Sequence, residues 1–397
     1  MHMRLLVAVA GLAAGCHDPS PPATPDAPHV ATGAIQMTDA SLMFPLSTSY
    51  LSASDSGARG VLLPKTLYTT FGPITGSSGS PAPGGTGSAD YGSLHVVAMR
   101  LDPCFASLAP DPQGANCTAQ LRLVFQEVTG TPPTAFDSAL HVFYRLDRAE
   151  LLDLVSSIAE LRAQSIDGRL GGLAPHPLMV RDGMSGAFAV GVRALILAHA
   201  GEQNLTRLTQ FSSSNDGFDW AFSGADVSDA ASATLTAMQI PSLAGSATQQ
   251  SFFRDFGTPP NPSITPETTS ADDPEPLATQ GVTQTQAQAA FTGLVRVDHP
   301  AHESPNTIDC ASCHLASQIS QQIAKPMFGL DEATDADAYQ ADGTYVLASE
   351  LTEMVPTDRE LSDFHAFSYN EDRAEINQRT VNETAANVVY LNQALGL

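Results

Sequence analysis

The stretch LHVVAMRL at residues 94–101 predicts a β-strand, because it is rich in large apolar and β-branched residues. The stretches LRLVF at 121–125 and LHVFYRL at 140–146 have the same character and predict two more strands. Prolines and a glycine lie between the first two stretches, as is typical of a loop. This part of the chain therefore contains a sheet in which consecutive strands are connected by loops.

A helix is predicted directly after the third strand. Asp147, followed three residues later by Glu150, is typical of a helix N-terminus at which the two residues cap each other. An apolar stripe at helical spacing follows, formed by Leu151, Leu154, Val155, Ile158 and Leu161. Residues 36–258 are therefore predicted to form an α+β domain with a substantial antiparallel sheet, and no motif in it indicates a function.

The end of the chain has a different pattern. Prolines are frequent in residues 259–281, which predicts a linker between two domains. Residues 284–295, 313–324 and 377–395 carry apolar residues at helical spacing and predict three helices. We therefore expect residues 282–397 to form a second, mainly α-helical domain.

The composition limits the classes of partner. The 397 residues include 42 acidic and 18 basic ones, which gives a formal net charge of −24. Binding to phosphate groups requires clustered lysines and arginines, and the sequence contains no basic block. Nucleic acid is therefore not an expected partner.

The N-terminus is typical of an export signal. Arg4 precedes a short apolar run at residues 5–14, which is too short to span a bilayer. The run ends in Leu12-Ala13-Ala14-Gly15-Cys16, which resembles the cleavage site of bacterial lipoproteins. The resemblance implies a signal peptide at 1–15, lipidation of Cys16, a flexible tether at 16–35 and anchoring to the outer membrane, facing the periplasm or the cell surface. Cleavage nearby by an ordinary signal peptidase is the alternative, and it too would export the protein.

If the protein is exported, its five cysteines include candidates for a disulfide, because disulfides persist in oxidising compartments. Cys104 and Cys117 lie close together in a loop-like stretch, and we expect them to form a disulfide. Closing so short a loop contributes about 3 kcal/mol on the loop-entropy estimate. The other two cysteines, apart from Cys16, belong to a motif of their own.

That motif is Cys310-Ala311-Ser312-Cys313-His314, a Cys-x-x-Cys-His sequence that occurs once. It resembles the haem attachment site of c-type cytochromes. The resemblance implies one covalent haem c, with thioether bonds from Cys310 and Cys313 and with His314 as the proximal ligand of the iron. It also implies that residues 282–397 are a cytochrome c-like haem domain. A redox-active or structural disulfide and a zinc site are the alternatives for the same residues.

The second axial ligand of such an iron is not fixed by the motif. His302 is the first candidate, because it lies in a turn-rich segment just before the motif. His365, between Phe364 and Phe367, is the second, and Met327, after Pro326, is the third. His299 and Met354 complete the set. A histidine or methionine ligand would favour an electron carrier, whereas an open position would permit the binding of small ligands.

A cluster of acidic residues follows the motif. Its members are Asp331, Glu332, Asp335, Asp337 and Asp342. Their spacing does not fit an EF-hand, so a solvated acidic loop is predicted rather than a calcium site.

The function expected from the sequence is electron transfer with redox partner proteins by an exported, membrane-anchored mono-haem protein, rather than an enzymatic reaction. A haem-dependent enzyme or sensor with an open distal site is one alternative. A surface binding protein in which the haem is structural is the other.

Overall fold

The structure is a computed structural model, which describes residues 33–71, 90–105, 118–166, 168–213, 219–239, 250–255, 261–265, 277, 281–305, 307–341, 344–352 and 365–397. The predicted signal peptide, the predicted lipidation site Cys16, most of the predicted tether, Cys117 and Met354 lie outside these residues.

The described strands form one large sheet and two small hairpins. Their bounds are β1 (Ser41–Met43), β2 (Ser56–Gly57), β3 (Gly60–Val61), β4 (Leu94–Phe105), β5 (Thr118–Thr129), β6 (Thr134–Ala135), β7 (Ser138–Arg145), β8 (Leu205–Ser213), β9 (Asp219–Asp229), β10 (Thr234–Ala237), β11 (Gln250–Asp255), β12 (Asn261–Thr265), β13 (Phe367–Asn370) and β14 (Arg373–Ile376). The large sheet has the order β1-β4-β5-β7-β8-β9-β11-β12, with β6 paired to β5 and β10 paired to β9. Its neighbouring strands are antiparallel.

The three strands predicted from the sequence are confirmed as β4, β5 and β7. Alternate residues along these strands point to opposite faces of the sheet. On one face Leu121, Leu123 and Val142 are fully buried, and helix α3 (Arg148–Ser165) packs against β4 and β5. The other face carries polar and charged residues, and the C-terminal part of the chain covers it.

The described helices are α1 (Met37–Ala40), α2 (Lys65–Phe71), α3, α4 (Pro177–Asp182), α5 (Ala187–His199), α6 (Gln284–Asp298), α7 (Cys310–Ile319), α8 (Lys325–Phe328), α9 (Ala348–Thr352) and α10 (Gln378–Leu395). Asp147 and Glu150 cap α3 as predicted, since the Asp147 carboxylate accepts from the Glu150 amide at 2.8 Å and the Glu150 carboxylate accepts from the Asp147 amide at 3.0 Å. A π-helical turn, Ser320–Ala324, continues α7. No helix in the described part of the chain is long and apolar enough to cross a bilayer.

The prediction of a separate, mainly α-helical haem domain over residues 282–397 is wrong. This part contains the β13–β14 hairpin, and its residues share one hydrophobic core with the large sheet. Buried hydrogen bonds join the two parts. Asn392 on α10 bonds both the amide and the carbonyl of Ile35, at 2.8 and 3.0 Å. The Tyr369 hydroxyl donates to the carbonyl of Phe44 at 2.8 Å.

The physical reason is the amount of apolar surface on the C-terminal helices. Val381, Ala385 and Val388 on α10 are fully buried, and α10 packs against α1, α3 and β4 as well as against α6 and α7. An apolar face must pack against another element, and here the large sheet and its helices supply part of that surface. In addition, β12 falls within residues 259–281, predicted to be a linker, and pairs with β11 at the end of the sheet.

Candidate cofactor site

A cavity lies between the polar face of the sheet and the C-terminal helices. Its volume is about 200 Å³, and it is partly open to solvent. The strands supply alternate residues to its wall, as their two-residue period requires. These residues are Arg100, Asp102 and Cys104 from β4, Arg122 and Val124 from β5, His141 and Phe143 from β7, and Arg207 and Thr209 from β8.

The Cys-x-x-Cys-His motif forms the opposite side of this cavity. Helix α7 begins at Cys310, three residues earlier than predicted, because the Asp309 carboxylate caps it by accepting from the Ser312 amide at 2.9 Å. Residues three and four apart on a helix share a face. Accordingly Cys310, Cys313 and His314 all line the cavity.

The two thiols of the motif are free and partly buried. Loss of solvation raises the pKa of both, that of Cys313 to about 12. The nearby Arg379 guanidinium opposes this rise at Cys313 but does not overcome it. The thiols are therefore protonated at neutral pH and are weak nucleophiles in this conformation.

His314 packs against the sheet through aromatic contacts. Its ring centre lies 5.7 Å from that of Phe211 on β8, edge to face, and 5.4 Å from that of Phe222 on β9. Both phenyl rings are buried. These contacts hold the imidazole at the cavity wall.

The structure places the three predicted distal ligands away from the cavity wall. His302 is exposed and contacts His299, with 4.4 Å between the ring centres and the two rings tilted by 52°. Met327 on α8 is 64% exposed. Neither residue lines the cavity.

His365 is buried, but it is used for other contacts. Its Nδ1 atom bonds the Ser368 hydroxyl at 2.6 Å, and its Nε2 atom bonds the Asp137 carboxylate at 2.8 Å. Its ring meets Phe211 edge to face at 5.0 Å. His365 therefore helps to position the same phenyl ring that contacts His314, and it does not line the cavity itself.

His141 does line the cavity, although the sequence did not single it out. It lies in the middle of β7, paired with Val124 on one side and Thr209 on the other. Burial lowers its pKa well below the ordinary value, and the nearby Arg122 and His314 lower it further. The predicted strand at 140–146 already indicated the orientation of His141. His141 and Phe143 alternate with Leu140 and Val142, which face the core, so His141 belongs to the opposite face.

The cavity is also lined by four of the chain's 18 basic residues, namely Arg100, Arg122, Arg207 and Arg379. Each has a carboxylate partner. Glu383 pairs with Arg100 at 2.7 Å and with Arg379 at 2.6 Å. Asp102 pairs with Arg122 at 2.8 Å, and Asp226 pairs with Arg207 at 2.6 Å.

Glu383 is the central anion of this group. Burial alone would raise its pKa, but Arg379, Arg100 and Arg122 together hold it well below the ordinary value. Arg379 also donates to the carbonyls of Val297 and Glu303, each at 2.6 Å. It thereby fixes the loop that precedes the motif.

Two further findings bear on the alternatives for the motif. Among the residues that the structure describes, no group of three or more His, Cys, Asp and Glu side chains is arranged to hold a metal ion. Cys104 is disulfide-bonded, and its expected partner Cys117 lies outside the described residues. The predicted pairing of these two cysteines stays a prediction.

Comparison of the chain with protein-family models, with curated proteins and with solved structures found no match.

Proposed function

We propose that this protein binds one haem c covalently and transfers electrons. Cys310 and Cys313 would form the thioether bonds, and His314 would be the proximal ligand of the iron. The proposal depends on one observation above all: the three side chains of the motif line a single cavity.

The donor set of the cavity suits a haem better than a bare metal ion. A haem iron needs only one or two ligands from the protein, because the porphyrin supplies the others. The absence of a protein-only metal cluster in the described residues is compatible with this requirement.

The basic residues of the cavity are also suited to a haem. Its propionate groups are carboxylates, and arginine is the side chain that pairs best with a carboxylate. Arg100, Arg122, Arg207 and Arg379 line the cavity and could share their donors with an anionic group of a cofactor.

When bound, the haem would supply one-electron redox chemistry. The role of the chain would be to fix His314 against Phe211 and Phe222 and to keep water from the covered part of the site. We further propose that the protein is exported and held at the outer membrane through Cys16, where it exchanges electrons with redox partner proteins.

The test is a pyridine haemochrome assay combined with mass spectrometry of the denatured chain, made together with the haem c maturation machinery. We expect the mass of the polypeptide plus one haem. Cys310→Ala and Cys313→Ala should each retain at most one thioether bond, and the double variant should retain no haem after denaturation. His302→Ala, which alters an exposed side chain, is the control. A wild-type chain that carries no covalent haem would disprove the proposal.

A second candidate is a haem protein that binds a small ligand at an open iron position. The opening of the cavity to solvent favours it. Carbon monoxide separates the two candidates, because it binds a five-coordinate ferrous iron and does not displace a strong sixth ligand readily.

A further inference from the structure

We propose that His141 is a second protein ligand of the haem iron, in addition to His314. This inference rests on the proposed function and goes beyond it, because it assigns an iron ligand to the sheet. It would make the site six-coordinate, as suits an electron carrier rather than a ligand-binding protein.

The strand register determines where His141 lies. Its neighbours across the sheet are Val124 and Thr209, neither of which can ligate iron. Within the described residues no hydrogen bond engages a ring nitrogen of His141. This contrasts with His365, whose two nitrogens are both bonded. His141 therefore presents an imidazole to the cavity that no described partner holds.

His314 lies beside the same part of the sheet. Phe211, which contacts His314, is two residues beyond Thr209 on β8. Residues two apart on a strand are neighbours on one face, separated by about 7 Å. Both histidines line the same cavity. One comes from the sheet and the other from α7, so they approach the cavity from different elements.

Met238 is the competing ligand, because it also lines the cavity. It follows β10, and its amide donates to the carbonyl of Gly224, which pairs with Thr209. Met238 is therefore three strand spacings from His141, or roughly 14 Å along the sheet. His141 lies nearer the centre of the wall, whereas Met238 lies beyond β9, so the geometry favours His141.

The experiment uses the holoprotein and its optical and electron paramagnetic resonance spectra. The wild type should be low-spin and should not bind carbon monoxide. His141→Ala should become high-spin and bind carbon monoxide, and added imidazole should restore the low-spin spectrum. His141→Met keeps a ligating side chain of similar size, and it should stay low-spin with a higher midpoint potential.

His302→Ala and Met238→Leu are the comparison variants, and both should keep the wild-type spectrum. If the haem is attached and His141→Ala keeps that spectrum, the inference is wrong while the proposed function stands. If Met238→Leu alone becomes high-spin, Met238 is the ligand and the inference is also wrong. If the wild-type chain carries no covalent haem, the proposed function fails and the inference fails with it.

Discussion

Glu383 on α10 and Arg100 on β4 form an ion pair of 2.7 Å across the junction between the C-terminal helices and the large sheet. Glu383 also accepts from Arg379, so one carboxylate pairs with two buried guanidinium groups. This arrangement couples the packing of α10 to the cavity wall, because all three residues line the cavity.

Replacing Glu383 by Gln should destabilise the fold. Arg100 and Arg379 would lose their shared counter-charge while staying buried, which typically costs about 3 kcal/mol. Chemical denaturation of the haem-free chain measures the effect. Glu371→Gln, at an exposed position, should be nearly neutral. Equal stability of the two variants would show that the ion pair is unimportant.

Replacing Asp309 by Ala should loosen the first turn of α7. The Ser312 amide would lose its acceptor, and loss of such a cap costs about 1 kcal/mol. Asp309→Asn can still accept this hydrogen bond and is the matched control. Faster hydrogen exchange of the Ser312 amide in the alanine variant alone is the expected result, and equal exchange in both variants would contradict it.

A pair of acids, of which Asp298 is buried and Glu332 half-buried, should make stability depend on pH. The Asp298 carboxyl group bonds that of Glu332 and also accepts from the Ser317 hydroxyl at 3.1 Å. Burial is the main cause that raises the pKa of Asp298 to about 7 and that of Glu332 to about 10. Glu332, which was predicted to belong to a solvated acidic loop, is half-buried.

The sign of the effect follows from linkage. Because the folded chain holds these protons more tightly than the unfolded chain, their contribution to stability is complete below about pH 4. It decreases as pH rises through 7 towards 10. Glu332→Gln keeps a neutral hydrogen-bonding group beside Asp298 at every pH. At pH 9 it should therefore be more stable than the wild type by about 1–2 kcal/mol, with a smaller difference at pH 5. If the free energy of unfolding of the variant and of the wild type changed with pH in parallel, the pair would not be the cause of the pH dependence.

The two motif thiols should react slowly while the haem-free chain is folded. Burial keeps Cys310 and Cys313 protonated, and only the thiolate is a good nucleophile. Alkylation by iodoacetamide at pH 8, followed by mass spectrometry, should be at least tenfold slower in the folded chain than in denaturant. Equal rates would mean that the thiols are reachable in the native state.

The sequence allowed good prediction of local structure. β4, β5 and β7 follow from short apolar runs, and the start of α3 follows from the Asp147 and Glu150 pair, because these signals lie within a few residues. The docking of the C-terminal helices could not be predicted in this way. Contacts such as that of Asn392 with Ile35 join distant parts of the chain, and helical periodicity shows that a face is apolar without showing what it packs against.

Part of the site was also predictable, because some of its residues are close together in sequence. Cys310, Cys313 and His314 are contiguous in sequence, so a motif identifies them. His141 and the arginines of the wall become neighbours of the motif only through strand pairing. The sequence showed only that His141 lies on the polar face of a predicted strand. Whether it belongs to the site depends on which segment of the chain covers that face.

The cavity is bounded by β4, in the first third of the chain, and by α10, close to its end. If the chain is exported and receives haem, as proposed, Arg100 crosses the membrane first, the Cys310–His314 segment later and α10 last. Because α10 completes the cavity, a haem would meet the least obstruction before α10 docks on the sheet. A chain that folds without haem would offer its partly buried thiols only through the part of the cavity that opens to solvent.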